Sequence, residues 1–318
     1  MPRVLFLGCN HNQLPYLRAA KAQGFKVIGT DVNPKAPGAA LADRFYTVGY
    51  DDVDGLVCVA QAEGLDPGDR VFTAAAHFAW EGAAGVAFRL NLPYPSPETV
   101  DICLDKAKLY PLLQRLGVSV PPSSVVESGE VPELDPSKFY YLKSDYGKSP
   151  RYCYRFNGGM QPALPRTFDR YYRRCFLLQE EVSGVHYRVN LYGDQAAVFL
   201  KLTDRCALPL PVLGPGHNEV VTALQRVTEQ LGLTQLVTKY DLIIDESGWH
   251  VIDLGLDPPM RLRLLLEHRG IDMPAAYVRM YLSGDGSGFR NWTSLAVPAV
   301  IIEGTLQEGA RFIQPRAS

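Results

Sequence analysis

The chain has 318 residues, of which 47% are hydrophobic and 21% charged, with a net charge of −2. That length suits two domains, the composition is ordinary for a globular protein, and a near-neutral balance with no basic run argues against nucleic acid as a partner. The opening "MPRVLFLGC" is too short an apolar stretch for a signal peptide or a membrane span, and six cysteines without C-x-x-C spacing read as reduced cytoplasmic thiols rather than zinc ligands or disulfides.

In chain order, "RVLFLGCN" is a continuous apolar run ending at Gly8, the pattern of a buried parallel strand. "NQLPYLRAAKAQG" predicts a helix closing at Gly24, and "FKVIGTDVN" a second buried strand ending at Asp31, which makes a β-α-β unit. "ADRFYTVGY" and "RVFTAAA" read as further short strands, with a helix over "VDGLVCVAQAEG" between them. This alternation argues for a parallel sheet covered on both faces. A nicotinamide dinucleotide is a weak candidate here: "GCNHNQ" lacks the glycines of G-x-G-x-x-G that let a pyrophosphate approach the backbone, and Asp31 reads equally well as a turn cap.

From Ser96, "SPETVDICLDKAKLYPLLQRLG" predicts one helix, started by Ser-Pro-Glu and stopped at Gly117. "VSVPPSSVV" then reads as an extended linker. In "YLKSDYGKSP", Gly147-Lys148-Ser149 has the ending of a P-loop. The glycine required five residues earlier is Leu142, however, and "RYCYRF" after it alternates like a strand, where a P-loop needs a helix. Interest therefore moves to Lys143. "PRTFDRYYRR" predicts a helix. "HYRVNLYG" and "QAAVFLKLTDR" predict a strand pair turning at Gly193-Asp194, and "NEVVTALQRVTEQLGL" a helix. "TKYDLIIDESGWHVIDLGL" is a hairpin with its turn near Glu246-Ser247. That register puts Asp241 and Asp253 near one edge as paired carboxylates, a hard-oxygen site suited to Mg²⁺ with substrate phosphates.

Taken in order, Lys106 in "LDKAK", Lys143, "QEEV", Lys201 and the Asp241/Asp253 hairpin resemble the ATP-grasp superfamily of carboxylate–amine ligases and related carboxylases. The resemblance runs from Arg3 to about residue 265. It implies an α/β chain with a Rossmann-like parallel-sheet domain (1–97) and then an ATP-grasp domain (98–315), made of a small α+β lid subdomain (about 120–177) and a C-terminal antiparallel sheet. It further implies ATP and Mg²⁺ as cofactors, small-molecule carboxylate and amine substrates, no membrane partner, and room for a homodimer. Position by position, the resemblance gives Lys106 and Lys143 to the phosphates, and Lys148 and Ser149 to a loop over the γ-phosphate. Gln179, Glu180, Glu181 and Val182 become the adenine hinge, His186 the ribose position, and Lys201 a second strand lysine. Asp241 and Asp253 become the metal ligands. Gly255 stands where the family has asparagine, with Asp257 as a substitute ligand. Arg261 or Arg205 would steady an acyl phosphate. The implied reaction activates a carboxylate as acyl phosphate and joins it to an amine, with bicarbonate as acceptor or a catalytically silent nucleotide-binding module as alternatives. Asn10, His77, Glu81 and His217 are candidates for the acceptor pocket.

Overall fold

A computed structural model describes residues 1–75, 77–127, 131–144, 153–160, 175–203, 206–214, 216–289, 299–302 and 305–308. Its first sheet is parallel, with strands β1 (Arg3–Leu7), β2 (Lys26–Thr30), β3 (Arg44–Tyr46) and β4 (Arg70–Thr73) in the order β3-β2-β1-β4. β1 and β4 bury nearly every side chain, as strands covered on both faces must. Helices α1 (Leu14–Ala22), α2 (Val53–Ala62) and α3 (His77–Leu90) supply cover. Gly82 in α3 allows close packing: a Cβ there would lie 1.8 Å from the Tyr50 carbonyl oxygen.

The single helix expected from Ser96 to Gly117 is two. α4 (Pro97–Leu104) and α5 (Lys106–Arg115) meet at Asp105, whose extended backbone (φ −109°, ψ 106°) ends one helix while its buried carboxylate accepts the Ala107 N–H at 2.9 Å and caps the next. Aspartate is a strong N-cap, and here it interrupts an otherwise continuous apolar periodicity. The break makes Lys106 the first residue of α5.

The expected linker leads into β5 (Ser123–Glu127), which joins β6 (Phe139–Ser144), β7 (Cys153–Asn157) and β8 (Cys175–Glu180) in an antiparallel sheet of order β5-β8-β6-β7. β6 thus leads into an antiparallel strand rather than a helix, which removes the P-loop reading. The expected helix over "PRTFDRYYRR" lies outside the described residues.

The large sheet comprises β9 (Val185–Tyr192), β10 (Gln195–Lys201), β11 (Cys206–Leu210), β12 (Thr238–Asp245), β13 (Gly248–Gly255), β14 (Ala299–Ile302) and β15 (Thr305–Glu308), in the order β13-β12-β9-β10-β11-β14-β15. Helix α6 (His217–Gln230) belongs to the same apolar core as one face of the sheet, with Leu224 and Val227 clustering with Tyr240 and Leu242. Thr228 Oγ1 and Tyr240 OH share a hydrogen bond at 2.8 Å. Two more helices follow β13, α7 (Met260–His268) and α8 (Met273–Ser283). α8 returns to the first sheet. Tyr277 meets Tyr16 and Phe72 edge-on at 6.0 and 6.1 Å, and Gln23 Nε2 donates to the Ala275 carbonyl at 2.9 Å. The parallel-sheet unit is therefore closed by a helix from the other end of the sequence. Among the described residues, no helix is long and apolar enough to cross a membrane.

Candidate active site

Side chains alternate along a strand, so cross-strand register decides which residues share a face. Asp241 pairs with Asp253 on one side and with Arg188 on the other, and Lys239 pairs with Gly255 and with Asn190. One face of the large sheet thus carries Arg188, Asn190, Lys239, Asp241 and Asp253, while Val189, Tyr240, Leu242 and Leu254 build the apolar core. The ladder slips between Asp241 and Leu242, which pair with Asp253 and Val251, so Ile252 is the extra residue of a bulge. The Ile252 carbonyl accepts the Tyr110 hydroxyl at 3.0 Å; bulges commonly re-aim groups beside functional sites in this way.

Around that anchor the lid meets the sheet. Lys143, on β6, donates to the Gln179 side-chain oxygen and to Tyr110 OH at 3.3 Å; Gln179 Nε2 donates to Tyr110 OH at 3.2 Å. Lys106 holds Asp253 at 3.0 Å. Desolvation, reinforced by the Lys106 charge and opposed by Asp253, pulls the Lys143 ammonium down to about 7. Two ammonium groups held close together in poor contact with water form a locus that a phosphate chain would relieve.

The other acids of the face are already paired. Arg188 Nε and Nη2 donate to the two oxygens of Asp241 at 2.8 and 2.6 Å. Burial alone would raise Asp241, but the charge and hydrogen bonds of Arg188, with Lys201 and His186 behind them, hold it at about 2. His186 Nε2 stands 3.3 Å from Lys201 Nζ and 3.8 Å from Asp241. Asp257 is buried against Lys239 at 2.6 Å. A Cβ on Gly255 would lie 2.6 Å from Lys239 Cε and 3.2 Å from Asp257 Oδ1, so that ion pair fills the space an asparagine side chain would need. Among the described residues, no three His, Cys, Asp or Glu side chains gather as a metal-holding group.

The hinge residues are tied into the lid. Glu180 N–H donates to the Pro122 carbonyl and Glu181 N–H to the Phe139 carbonyl, both at 2.9 Å. The side chain of Glu180 pairs with Lys138 at 2.8 Å, and that of Glu181 takes a two-pronged bond from Arg155 at 2.7 Å on each prong. These acids fasten the end of β8 to β7 and to the residue preceding β6, and Val182 lies just beyond β8. Arg261 stands half-buried in the first turn of α7. Lys148, Ser149 and Arg205 lie outside the described residues, as does the His77 side chain. Asn10 caps its own loop through the Asn12 N–H at 2.9 Å, and His217 Nδ1 accepts the Leu213 N–H at 3.3 Å. Glu81 borders a cleft of about 450 Å³ with Pro97, Glu98 and Asp101. Both oxygens of Asp31 accept backbone donors, Cys9 N–H at 2.7 Å and Asn33 N–H at 2.9 Å, so Asp31 ties two loops together.

No protein-family model matches the sequence, and no curated protein does. Solved structures do match in fold. An L-amino acid ligase from Bacillus licheniformis is 15% identical with a TM-score of 0.70, over 94% of this chain and 78% of that one. An N5-carboxyaminoimidazole ribonucleotide synthetase from Thermotoga maritima is 18% identical at 0.68, over 94% and 80%. The biotin carboxylase domain of Hydrogenobacter thermophilus 2-oxoglutarate carboxylase, solved with MgADP, ADP and bicarbonate, is 14% identical at 0.67, over 89% and 70%. The parallel sheet, the lid sheet and the antiparallel sheet are together the ATP-grasp architecture, and this chain has that fold.

Proposed function

We propose that the protein is an ATP-dependent ligase that activates a small carboxylic acid by phosphoryl transfer and passes the acyl group to an amine. One observation carries the reading: in an ATP-grasp fold, Lys106 and the desolvated Lys143 converge beside Asp253 where the lid meets the sheet. In this account Lys106 and Lys143 neutralise the triphosphate. Tyr110 and Gln179 fix the direction of Lys143, so the ammonium is positioned before nucleotide arrives and little reorganisation is left for the reaction. Val182 offers backbone groups to the adenine edge, and Arg261 faces the acceptor carboxylate.

A divalent cation suits Asp253, whose side chain is 37% exposed and is ion-paired to a flexible lysine. Bound there with phosphate oxygens, it would supply charge neutralisation for the transferring group. The carboxylate attacks the γ-phosphorus and ADP leaves; the amine then attacks the acyl carbon and phosphate leaves. Neither step needs a covalent enzyme intermediate.

The same site supports a second reading, with bicarbonate as the acceptor, because carboxylase domains are among the structures alike in fold. Phosphate release assayed across panels of carboxylates and amines tests both readings. Release that needs both partners supports the ligase, and release with bicarbonate alone supports the carboxylase. Nucleotide binding without release under any pairing contradicts both and leaves a silent module.

A further inference from the structure

The acidic face is crowded with cations before any metal arrives. Arg188, Lys239, Lys201, Lys106 and Lys143 share it with three aspartates, Asp241, Asp253 and Asp257. Two of those aspartates are held in ways that resist exchange. Arg188 faces Asp241 directly across the β9–β12 ladder and takes both of its oxygens in a planar fork, with the two side chains only 18% and 11% exposed. A fork of this kind matches carboxylate geometry and uses both oxygens. Lys239 faces Gly255 across the β12–β13 ladder, lies over the missing side chain, and grips the buried Asp257. A cation entering at either place would have to evict a buried positive group and strand its charge, which a protein interior tolerates poorly. Asp253 differs, because it is more exposed and its partner Lys106 is a compact charge on a flexible stem.

We propose that Arg188 and Lys239 are built-in substitutes for one divalent cation, so that the nucleotide complex of this protein holds a single metal ion, at Asp253. The inference rests on the nucleotide reading above. It assigns Asp241 and Asp257 the work of holding those two bases in place rather than ligating metal, and it accounts for the glycine at 255, since a longer side chain would displace Lys239. The two bases offer fixed positive charge with hydrogen-bond direction, which a hydrated metal ion would otherwise supply.

The test counts metal rather than turnover. Purified protein is mixed with one equivalent of a non-hydrolysable adenosine triphosphate analogue and titrated with Mn²⁺, and free Mn²⁺ is read by electron paramagnetic resonance. One Mn²⁺ bound per ternary complex is expected, with anomalous density beside Asp253 in crystals of the same complex. Asp253→Asn should weaken that Mn²⁺ at least tenfold, and Arg188→Met, if it folds, should bring the count toward two by releasing Asp241. Two Mn²⁺ ions in the unaltered protein, or a single ion seated on Asp241, would overturn the proposal and leave the nucleotide reading intact. Failure of the analogue to bind at any Mn²⁺ concentration would overturn both.

Discussion

Lys106 reaches Asp253 at 3.0 Å, from the first residue of α5 to the end of strand β13. The pair joins the helix before the lid to the sheet beneath it, and Lys143 stands within the electrostatic reach of both. A phosphate chain entering here would meet two ammonium groups and one carboxylate.

Lys143→Met keeps the length of the side chain and removes its charge. A hydrogen bond to a charged group contributes about 1.5–3 kcal/mol, so affinity for a nucleoside triphosphate analogue should fall roughly ten- to a hundredfold. Because the ammonium is desolvated in the free protein, the melting temperature should hold or rise. Calorimetric titration and thermal unfolding check the two halves; unfolding of the variant would make Lys143 a structural residue instead.

The depressed Lys143 also makes a pH prediction. With its value near 7 in the fold against about 10.4 in an unfolded chain, the unfolded state binds more protons between those limits. Stability of the free protein should therefore rise with pH across that window, and this contribution is absent below pH 7, where the lysine is charged in both states. Phosphate favours the charged form, so nucleotide binding at pH 8 should take up close to one proton. Titrations in buffers of different ionisation enthalpy measure that uptake, and uptake near zero would contradict the assignment.

Arg188→Ala leaves Asp241 buried without its partner. Breaking a buried pair in this way costs about 3–5 kcal/mol, whereas replacing both partners with apolar residues is often nearly neutral. Urea denaturation should therefore show a large loss for Arg188→Ala and a much smaller one for Arg188→Met with Asp241→Leu. The low value of Asp241, about 2, means that its contribution persists through mild acid. It is lost only as pH falls below the ordinary carboxylate range and through 2.

Two glycines should respond differently to alanine. At Gly255 the obstructing atom is the flexible end of Lys239, at 2.6 Å, so a cost of about 1–3 kcal/mol is expected as the lysine shifts. At Gly82 the obstruction is the Tyr50 backbone oxygen at 1.8 Å, which cannot move without displacing its loop. Gly82→Ala should be the more damaging of the two in denaturant titrations, and the reverse order would contradict the packing of α3.

Much of this arrangement could be read from sequence wherever one residue type acts locally. The hairpin of β12 and β13 was legible because its apolar alternation brackets an Asp-Glu-Ser-Gly turn, and the observed register does set Asp241 opposite Asp253. The first β-α-β unit was legible because continuous apolar runs, buried on both faces, flank a helix that closes at Gly24. The helix break at Asp105 was hidden because the apolar periodicity continues through it. β5 was hidden because Pro and Ser dominate its approach, although its strand partner β8 lies about fifty residues further on. Arg188, Lys239 and Tyr110 were missed altogether. Each is one of several polar residues in its element, with nothing local to single it out, and its meaning comes from a partner distant in sequence: Asp241 for Arg188, Gly255 and Asp257 for Lys239, and the bulged Ile252 carbonyl for Tyr110.

The most direct test of the central claim is a crystal structure with Mg²⁺ and a non-hydrolysable adenosine triphosphate analogue. Phosphate oxygens are expected within hydrogen-bond distance of both Lys106 Nζ and Lys143 Nζ, with the adenine beside Val182. Nucleotide bound away from those two lysines, or no nucleotide density at saturating concentration, would contradict it.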